Sequence, residues 1–325
     1  MKVAITGGNG HIGSAIIEEL IRRNYKIKAL ANTNKDFLLS KGIELVEGSI
    51  HDQHAVSNLL SGCDYLIHCA AIISIDGDPH GHVRKTNVEG VKNLLEVAQS
   101  NPLKRIIHVS SIHALDQLPI DEKLDENRRF VSDQAIEYDK SKRDGQLVVN
   151  EFVKAGLPII TVLPTAVYGP PNHAKCKQNS AFISMSKGKL PVVFHGGFNW
   201  VDVRDVAQSI CNALHQGQIG ENYILGGHYY TLKEQSKIVG TVINKSLICV
   251  AVPIKLVKAF IPFIKTYYKI TKKPASVTKE SIEVLEFSNK HISSEKAIKE
   301  LNHQMRSMEE SIKDLLIWEK ENTKK

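Results

Sequence analysis

Three observations predict an α/β fold, a doubly wound parallel sheet with a smaller, partly interleaved C-terminal part. Strand-like and helix-like segments alternate through the first half of the 325-residue chain, as they do when a parallel sheet is covered on both faces. A glycine-rich turn stands between the first strand and the first helix. Past Tyr168-Gly169-Pro170-Pro171 the alternation gives way to loops and helices.

The elements follow in order. Residues 3–6 read as a short apolar strand, and 14–24 as a helix with Ile16, Ile17, Leu20 and Ile21 on one side. Residues 26–31 and 43–47 read as the next two strands, and 65–69, 105–109 and 158–163 as three further β-branched runs. Residues 88–99 and 141–154 carry apolar side chains at helical spacing. Later, one strand is expected near 223–225 after a helix over 206–214, and from 231 onward only helices and loops.

Composition narrows the class. With 42% hydrophobic and 24% charged residues the chain is a folded globular protein, not a disordered one. Five cysteines, without a CxxC pair, argue against a disulfide framework or zinc ribbon and for a reducing compartment. The longest apolar run, 247–254, has eight residues, against about 20 for a bilayer crossing. The chain opens directly as a strand, so no leader is expected and a cytoplasmic location fits.

The strongest local signal is Thr6-Gly7-Gly8-Asn9-Gly10-His11-Ile12-Gly13. Glycines at 7, 10 and 13 let the backbone turn sharply, approach a pyrophosphate and pack the helix on the sheet. The helix N-terminus then offers free N–H groups to phosphates. This Rossmann-type turn implies a dinucleotide-binding domain over 1–170, with 199–226 returning to it, and a substrate-binding cap over 171–198 and 227–325.

A second signal is Tyr138-Asp139-Lys140-Ser141-Lys142. Residues four apart on a helix share a face. An ammonium beside a phenol lowers a pKa otherwise about 10, which makes Tyr138 a proton donor or acceptor near neutrality. Ser110-Ser111 ends the 105–109 strand, at the carboxyl edge where ligands bind in such sheets.

These motifs, with Asp64-Tyr65-Leu66-Ile67-His68-Cys69-Ala70-Ala71, Asn87-Val88-Glu89-Gly90, Leu163-Pro164-Thr165-Ala166-Val167-Tyr168-Gly169-Pro170, Val201-Asp202-Val203-Arg204-Asp205 and Ser293-Ser294-Glu295-Lys296-Ala297, occur in order along nearly the whole chain. Together they resemble the extended short-chain dehydrogenase/reductases, the NAD(P)-dependent epimerase/dehydratase group, and within it the dihydroflavonol-reductase-like branch. The resemblance implies an NAD(P)-dependent oxidoreductase acting on a small-molecule carbonyl or alcohol, and leaves a homodimer open. It implies that Ser111 holds the substrate oxygen, that Tyr138 is the general acid/base, and that Lys142 binds the nicotinamide ribose and depresses the tyrosine pKa. Cofactor contacts are implied for Gly7, Gly10, His11, Ile12, Gly13, Asn32, Ser49, Ile50, Ala70, Ala71 and Asn87, and for Pro164 and Val167 against the nicotinamide.

Some positions depart from the pattern. Ser49 stands where an aspartate commonly reads adenine, and Leu163 where an arginine is frequent. The second strand ends in Leu30-Ala31-Asn32, without an acidic residue to accept from the ribose 2′-hydroxyl and without an arginine. Lys28 or Lys35 could reach a 2′-phosphate, so NADP is expected, with NAD as the alternative. An NDP-sugar epimerase or dehydratase is disfavoured, because residues 151–325 hold only Arg204 and Arg306 to clamp a pyrophosphate. A dehydratase would also want acids where Ile112-His113 stands. A non-catalytic NADP-binding sensor is disfavoured by retention of both Tyr138 and Lys142.

Asp202, Arg204 and Asp205 are expected to anchor the cap to the sheet. No metal is expected, since His51/His54 and His80/His82 lack a third ligand that sequence can identify. His113, two residues past Ser111, would either project near the substrate or pack at the strand's end.

The formal charge of +7 raises nucleic acid or an anionic membrane as partners. Its distribution is uneven: residues 1–150 carry 18 basic and 20 acidic side chains, and 151–325 carry 24 and 15. Residues 251–279 hold seven lysines and no acid. On a helical wheel Lys255, Lys258, Lys265, Lys269 and Lys272 oppose Leu256, Phe260, Phe263, Ile264 and Tyr267, with Pro262 interrupting. No nucleic-acid partner is therefore expected. A solvated cap helix is expected there, with a weak membrane-surface contact through 251–279 as the sharper alternative.

Overall fold

The structure, a computed structural model, describes residues 1–32, 35–74, 77–258 and 278–322. The chain opens β1 (Lys2–Thr6), α1 (His11–Arg22), β2 (Lys26–Ala31), α2 (Asp36–Ser40), β3 (Glu44–Glu47), α3 (Gln53–Leu60) and β4 (Tyr65–His68). It continues α4 (His82–Arg84), a π-helical turn Lys85–Glu89, α5 (Gly90–Ala98), β5 (Arg105–Val109), α6 (Glu137–Lys154), β6 (Ile159–Pro164) and β7 (Ala166–Tyr168). Then come α7 (Lys177–Ser186), β8 (Val192–Phe194), β9 (Gly197–Asp202), α8 (Val203–Ala213), β10 (Asn222–Leu225), β11 (His228–Thr231), α9 (Leu232–Val242) and β12 (Val250–Val252). Three helices close the described chain: α10 (Lys279–Glu286), α11 (Glu295–Leu301) and α12 (Met308–Asn322).

Seven strands form a parallel sheet in the order β10-β6-β5-β4-β1-β2-β3. The inner strands are mostly apolar because both faces are covered, whereas the edge strand β3 reads Glu-Leu-Val-Glu. On one face Ile5 and Ile67 meet Ile16, Leu20, Val206 and Ile210 of α1 and α8. On the other, Ala4, Leu66 and Ile106 meet Leu59, Leu94 and Val149 of α3, α5 and α6. The strand order reverses between β1 and β4, which opens a crevice at their carboxyl ends.

A polar row interrupts this core. Thr6, His68, His108 and Thr161 are cross-strand neighbours on β1, β4, β5 and β6. Thr6 Oγ1 lies 2.6 Å from His68 Nδ1, the two imidazoles stack with centroids 5.5 Å apart, and Gln146 of α6 donates to Thr161 Oγ1 at 3.0 Å. Burial drives the His68 pKa down to about 3 and holds His108 well below its ordinary value, with the neighbouring Lys142 charge acting in the same direction.

Two smaller sheets lie beyond it, one of β11-β9-β7 and one pairing β12 with β8. Their core is aromatic, with Trp200 edge-on to Tyr168 at 5.6 Å and to Phe182 at 5.3 Å. Arg204 pairs with Asp202 at 2.7 Å and with Asp314 of α12 at 2.6 Å, and Arg306 pairs with buried Asp205. Asp202, Arg204 and Asp205 thus tie the start of α8 to α12 and to the loop before it.

The strands of the main sheet fall within a residue of the sequence expectation. The later half does not follow it: besides β10, the structure has β8, β9, β11 and β12 where one strand was expected. β8 and β12 are three residues each and β9 begins on a glycine, so no alternation is long enough to register. Helix α6 starts at Glu137 rather than 141, because its polar first turn carries no apolar periodicity. Most of the lysine-rich 251–279 stretch, 259–277, lies outside the described residues. Among the described residues, no helix is long and apolar enough to cross a membrane.

The buried histidines make acid stability a readout of the fold. The unfolded chain protonates them below about 6.5, whereas the native state resists until near 3 for His68. Their neutral form is fully accommodated above 6.5, and stability is lost as pH falls below it. Unfolding free energies from urea titrations between pH 7.5 and 4.5 are expected to fall by up to about 1.4 kcal/mol per histidine per pH unit. A flat profile across that window would contradict the neutral, buried pair.

Candidate active site

The crevice is built first from backbone. Gly7 sits at φ +73°, and a Cβ there would lie 2.5 Å from the Ala70 nitrogen. A Cβ on Gly13 would lie 2.1 Å from the Gly7 carbonyl oxygen. Only glycine lets α1 begin this close to β1 and β4. No side chain caps α1 and no acid occupies its first turn. Its N–H groups therefore face the crevice as an anion-binding end.

The second wall is α6. Asn87, in the π-helical turn, is buried and accepts from the Ile72 N–H at 2.9 Å. Its amide donates to the Ile72 carbonyl at 2.9 Å and to Ser141 Oγ at 3.0 Å. Ser141 Oγ in turn donates to the Tyr138 carbonyl at 2.6 Å. A Cβ on Gly145 would stand 2.4 Å from the Asn87 carbonyl oxygen, so this glycine sets how near α6 comes. The clamp brings Tyr138 near Ser111, which follows β5, and the Ser111 hydroxyl acts on the Tyr138 phenol.

Lys142, one turn on, is buried, and among the described residues no carboxylate pairs with it. Burial brings its pKa down to about 8, although Cys69 nearby raises it. Tyr138 departs from the sequence expectation. Burial raises its pKa above the ordinary tyrosine value, the Ser111 bond works against this, and the Asp139 charge adds to it. Lys142 is not among the groups that set it, so the depression expected from the lysine is not present in this arrangement.

Beside Tyr138 a cavity of about 610 Å³ opens between the sheet edge and the C-terminal helices. Its walls are largely apolar, including Ile112, Phe130, Phe198 and Phe287, with His113 and Asp139 at the end nearest Tyr138. The His113 ring stands edge-on to Tyr138 at 5.6 Å, and its Nδ1 lies 3.1 Å from Asp139 Oδ1.

The sequence profile of the NAD dependent epimerase/dehydratase family matches residues 3–226, the whole of this assembly apart from the cavity's C-terminal wall. The chain belongs to that family. It is 26% identical over 235 residues to sterol demethylase protein B of Methylococcus capsulatus, covering 71% of each chain. To a dihydroflavonol 4-reductase-like protein of Synechocystis it is 27% identical over 236 residues, covering 70% of this chain and 68% of that one. Among solved structures, gox2253 superposes with TM-score 0.83 at 25% identity, covering 99% of this chain and 98% of that one. The Bacillus cereus UDP-glucuronic acid 4-epimerase, solved with UDP-glucuronic acid and NAD, superposes with TM-score 0.77 at 17% identity, covering 99% of each. The chain is an NAD(P)-dependent enzyme of the extended short-chain dehydrogenase/reductase type.

The residues present fit a dinucleotide. The glycine cradle admits a phosphate, the unpaired Lys142 ammonium suits ribose hydroxyls, and Ser110 Oγ and Thr165 Oγ1 are buried without partners at neighbouring strand ends. Ala70 and Ala71 follow β4 at the crevice, Asn32 is exposed at the end of β2, and Ser49 lies in the turn after β3. Pro164 is buried at the end of β6, with Val167 half-buried on β7.

Three expectations change. The Ile50 side chain is buried among the core residues under α3 and α5, because the chain turns it inward after β3. The His11 ring faces the Gly169 carbonyl at 2.9 Å and Asn179, so only its backbone is available to a phosphate, as is that of Ile12. Lys28 points from mid-strand to the Asn58 carbonyl at 2.6 Å and cannot serve the end of β2, whereas Lys35 lies there, paired with Glu47 at 2.5 Å. Sequence reasoning missed Asp139, Thr165 and Gly145. An isolated glycine inside a helical pattern was a usable signal for the last.

Gly13→Ala places a methyl group against the Gly7 carbonyl. Overpacking of this kind costs about 1–3 kcal/mol, and here it falls on the phosphate-binding turn. Dinucleotide affinity, measured by calorimetric titration, is expected to fall at least about tenfold, with a smaller loss of thermal stability.

Proposed function

We propose that the chain is an NADPH-dependent reductase that interconverts a carbonyl and an alcohol on a largely apolar body. The observation that carries this reading is the Ser111–Tyr138 pair, with Lys142 one turn away, next to His113 and Asp139, which line a cavity with mainly apolar walls. In this reading residues 1–170 and 199–226 hold the dinucleotide, while 171–198 and 227–325 supply the substrate side. Bound nicotinamide supplies the hydride or takes it up. Ser111 holds the substrate oxygen, Tyr138 gives that oxygen its phenolic proton, and Lys142 orients the ribose. The raised Tyr138 pKa suits a group that stays protonated until the oxygen develops charge.

NADPH is favoured by the want of a carboxylate at the end of β2 and by Lys35 beside that end. Lys35→Ala is expected to raise KM for NADPH about tenfold and to leave that for NADH nearly unchanged. Equal effects on both would remove Lys35 from 2′-phosphate recognition.

The main test is a panel of aldehydes, ketones and alcohols with each cofactor, on wild type and Tyr138→Phe. Turnover of apolar carbonyls is expected, with kcat lowered about 10²–10⁴-fold in the variant and cofactor affinity retained. Activity confined to nucleotide sugars, or cofactor binding without any Tyr138-dependent rate, would refute the reductase reading.

A further inference from the structure

The wall of the cavity holds a polar pair that the carbonyl chemistry does not use. His113 lies in the short turn Ile112–Ala114 that follows β5. Ser111 Oγ accepts the His113 N–H at 3.2 Å, so the backbone of the histidine is fixed to the hydroxyl that would hold the substrate. Its Nδ1 faces Asp139 at 3.1 Å, and its ring edge meets Tyr138. The side chain is 28% exposed, and the residue lines the cavity. With Nδ1 turned to the carboxylate, Nε2 is the nitrogen left to donate to a ligand.

Several other polar side chains of this wall are committed elsewhere, although Thr165 Oγ1 is not. Gln117 donates to the Ile112 and Leu115 carbonyls at 3.1 and 3.0 Å. Asn199 holds both polar groups of Gly227, at 2.8 and 3.0 Å. Asp116 pairs with Arg129 at 2.8 Å. His113 stands beside Tyr138 with its ring held at Asp139, in a wall whose exposed surface is mainly apolar.

We propose that His113, oriented by Asp139, is a substrate-binding residue that takes a second oxygen of the substrate, β to the reacting carbon. The substrate class is then a β-oxygenated carbonyl, a 1,3-dicarbonyl or β-hydroxy carbonyl with an apolar remainder. This inference rests on the reductase reading and narrows its substrate. The reacting oxygen meets Ser111 and Tyr138, and the second meets His113, which lines the cavity beside them. A hydrogen bond from a charged donor discriminates strongly against an analogue lacking the acceptor.

Protonation supports the geometry. Burial opposes a charge on His113, but the Asp139 carboxylate outweighs it and raises the pKa above the ordinary histidine value, with Lys142 acting against. The charged and titratable groups facing the ring are Asp139, Tyr138 and Lys142 on α6. Asp116, Arg129 and Glu283 lie in the same cavity wall. Selectivity for the second oxygen should therefore be highest at acid to neutral pH and decline as pH rises past the His113 value.

The test is a ratio of kcat/KM values. A 1,3-diketone and a β-hydroxy ketone are each compared with the monoketone of the same chain length, using NADPH. Wild type is expected to prefer the β-oxygenated probes by about ten- to a hundredfold. His113→Leu should bring the ratio near one, and His113→Gln should restore part of it. Asp139→Asn, which keeps the ring and removes the charge holding it, should lower the ratio and flatten its pH dependence. This variant decides the matter if His113→Leu is inactive. Equal use of both probe classes by wild type, or an unchanged ratio in the deciding variant, overturns the His113 inference while leaving the reductase reading intact. Failure of wild type to turn over any of the carbonyls overturns both.

Discussion

The reacting end of this molecule depends on how closely α6 is pressed against the turn that precedes α5. Gly145 faces the Asn87 carbonyl with no room for a Cβ, and the Asn87 amide bridges the Ile72 backbone and Ser141. A glycine inside a helix costs about 1 kcal/mol relative to alanine. Here that cost is offset by a contact no other residue permits. The π-helical turn belongs to the same device, because the widened turn carries Asn87 with its side chain inward and its carbonyl toward α6. From this one approach follow the depth of Lys142, the reach of Tyr138 to Ser111, and the position of Asp139 beside His113.

Burial then sets the electrostatics of the site. The Lys142 ammonium is held without a carboxylate partner among the described residues, which brings its pKa down to about 8. The same burial keeps the Tyr138 phenol protonated. The buried His68 and His108 behind them stay neutral, partly because Lys142 is already charged. Lys142 and Tyr138 therefore place a positive charge and an available proton in a low-dielectric wall, where both act strongly on a bound ligand.

How far the sequence could be read follows from the length of each signal. The main sheet was legible because its strands are four to six residues long, rich in apolar side chains and bounded by turns, and the glycine loop because three glycines mark a backbone approach. Ser111, Tyr138 and Lys142 were legible from spacing and strand position, and the structure brings them together. Asp139 was not: a carboxylate in a polar helical turn looks like a solvated side chain, and only the fold turns it toward His113. Lys28 misled for the opposite reason. Nearness in sequence to the end of β2 says nothing about which way a mid-strand side chain faces.

The same geometry bears on the kind of substrate. A nucleotide sugar needs its pyrophosphate held, and arginine does this best because its planar fork meets two phosphate oxygens at once. The second half of the chain has two arginines, and both are committed to carboxylates: Arg204 to Asp202 and Asp314, Arg306 to Asp205. Freeing either would leave an uncompensated charge, since Asp202 and Asp205 are fully buried. Among the described residues of the cavity wall the one arginine, Arg129, is paired with Asp116. What the cavity offers instead is hydrocarbon over most of its surface and hydrogen-bond donors at one end. Such a surface suits an apolar molecule whose oxygens cluster at the carbon being reduced.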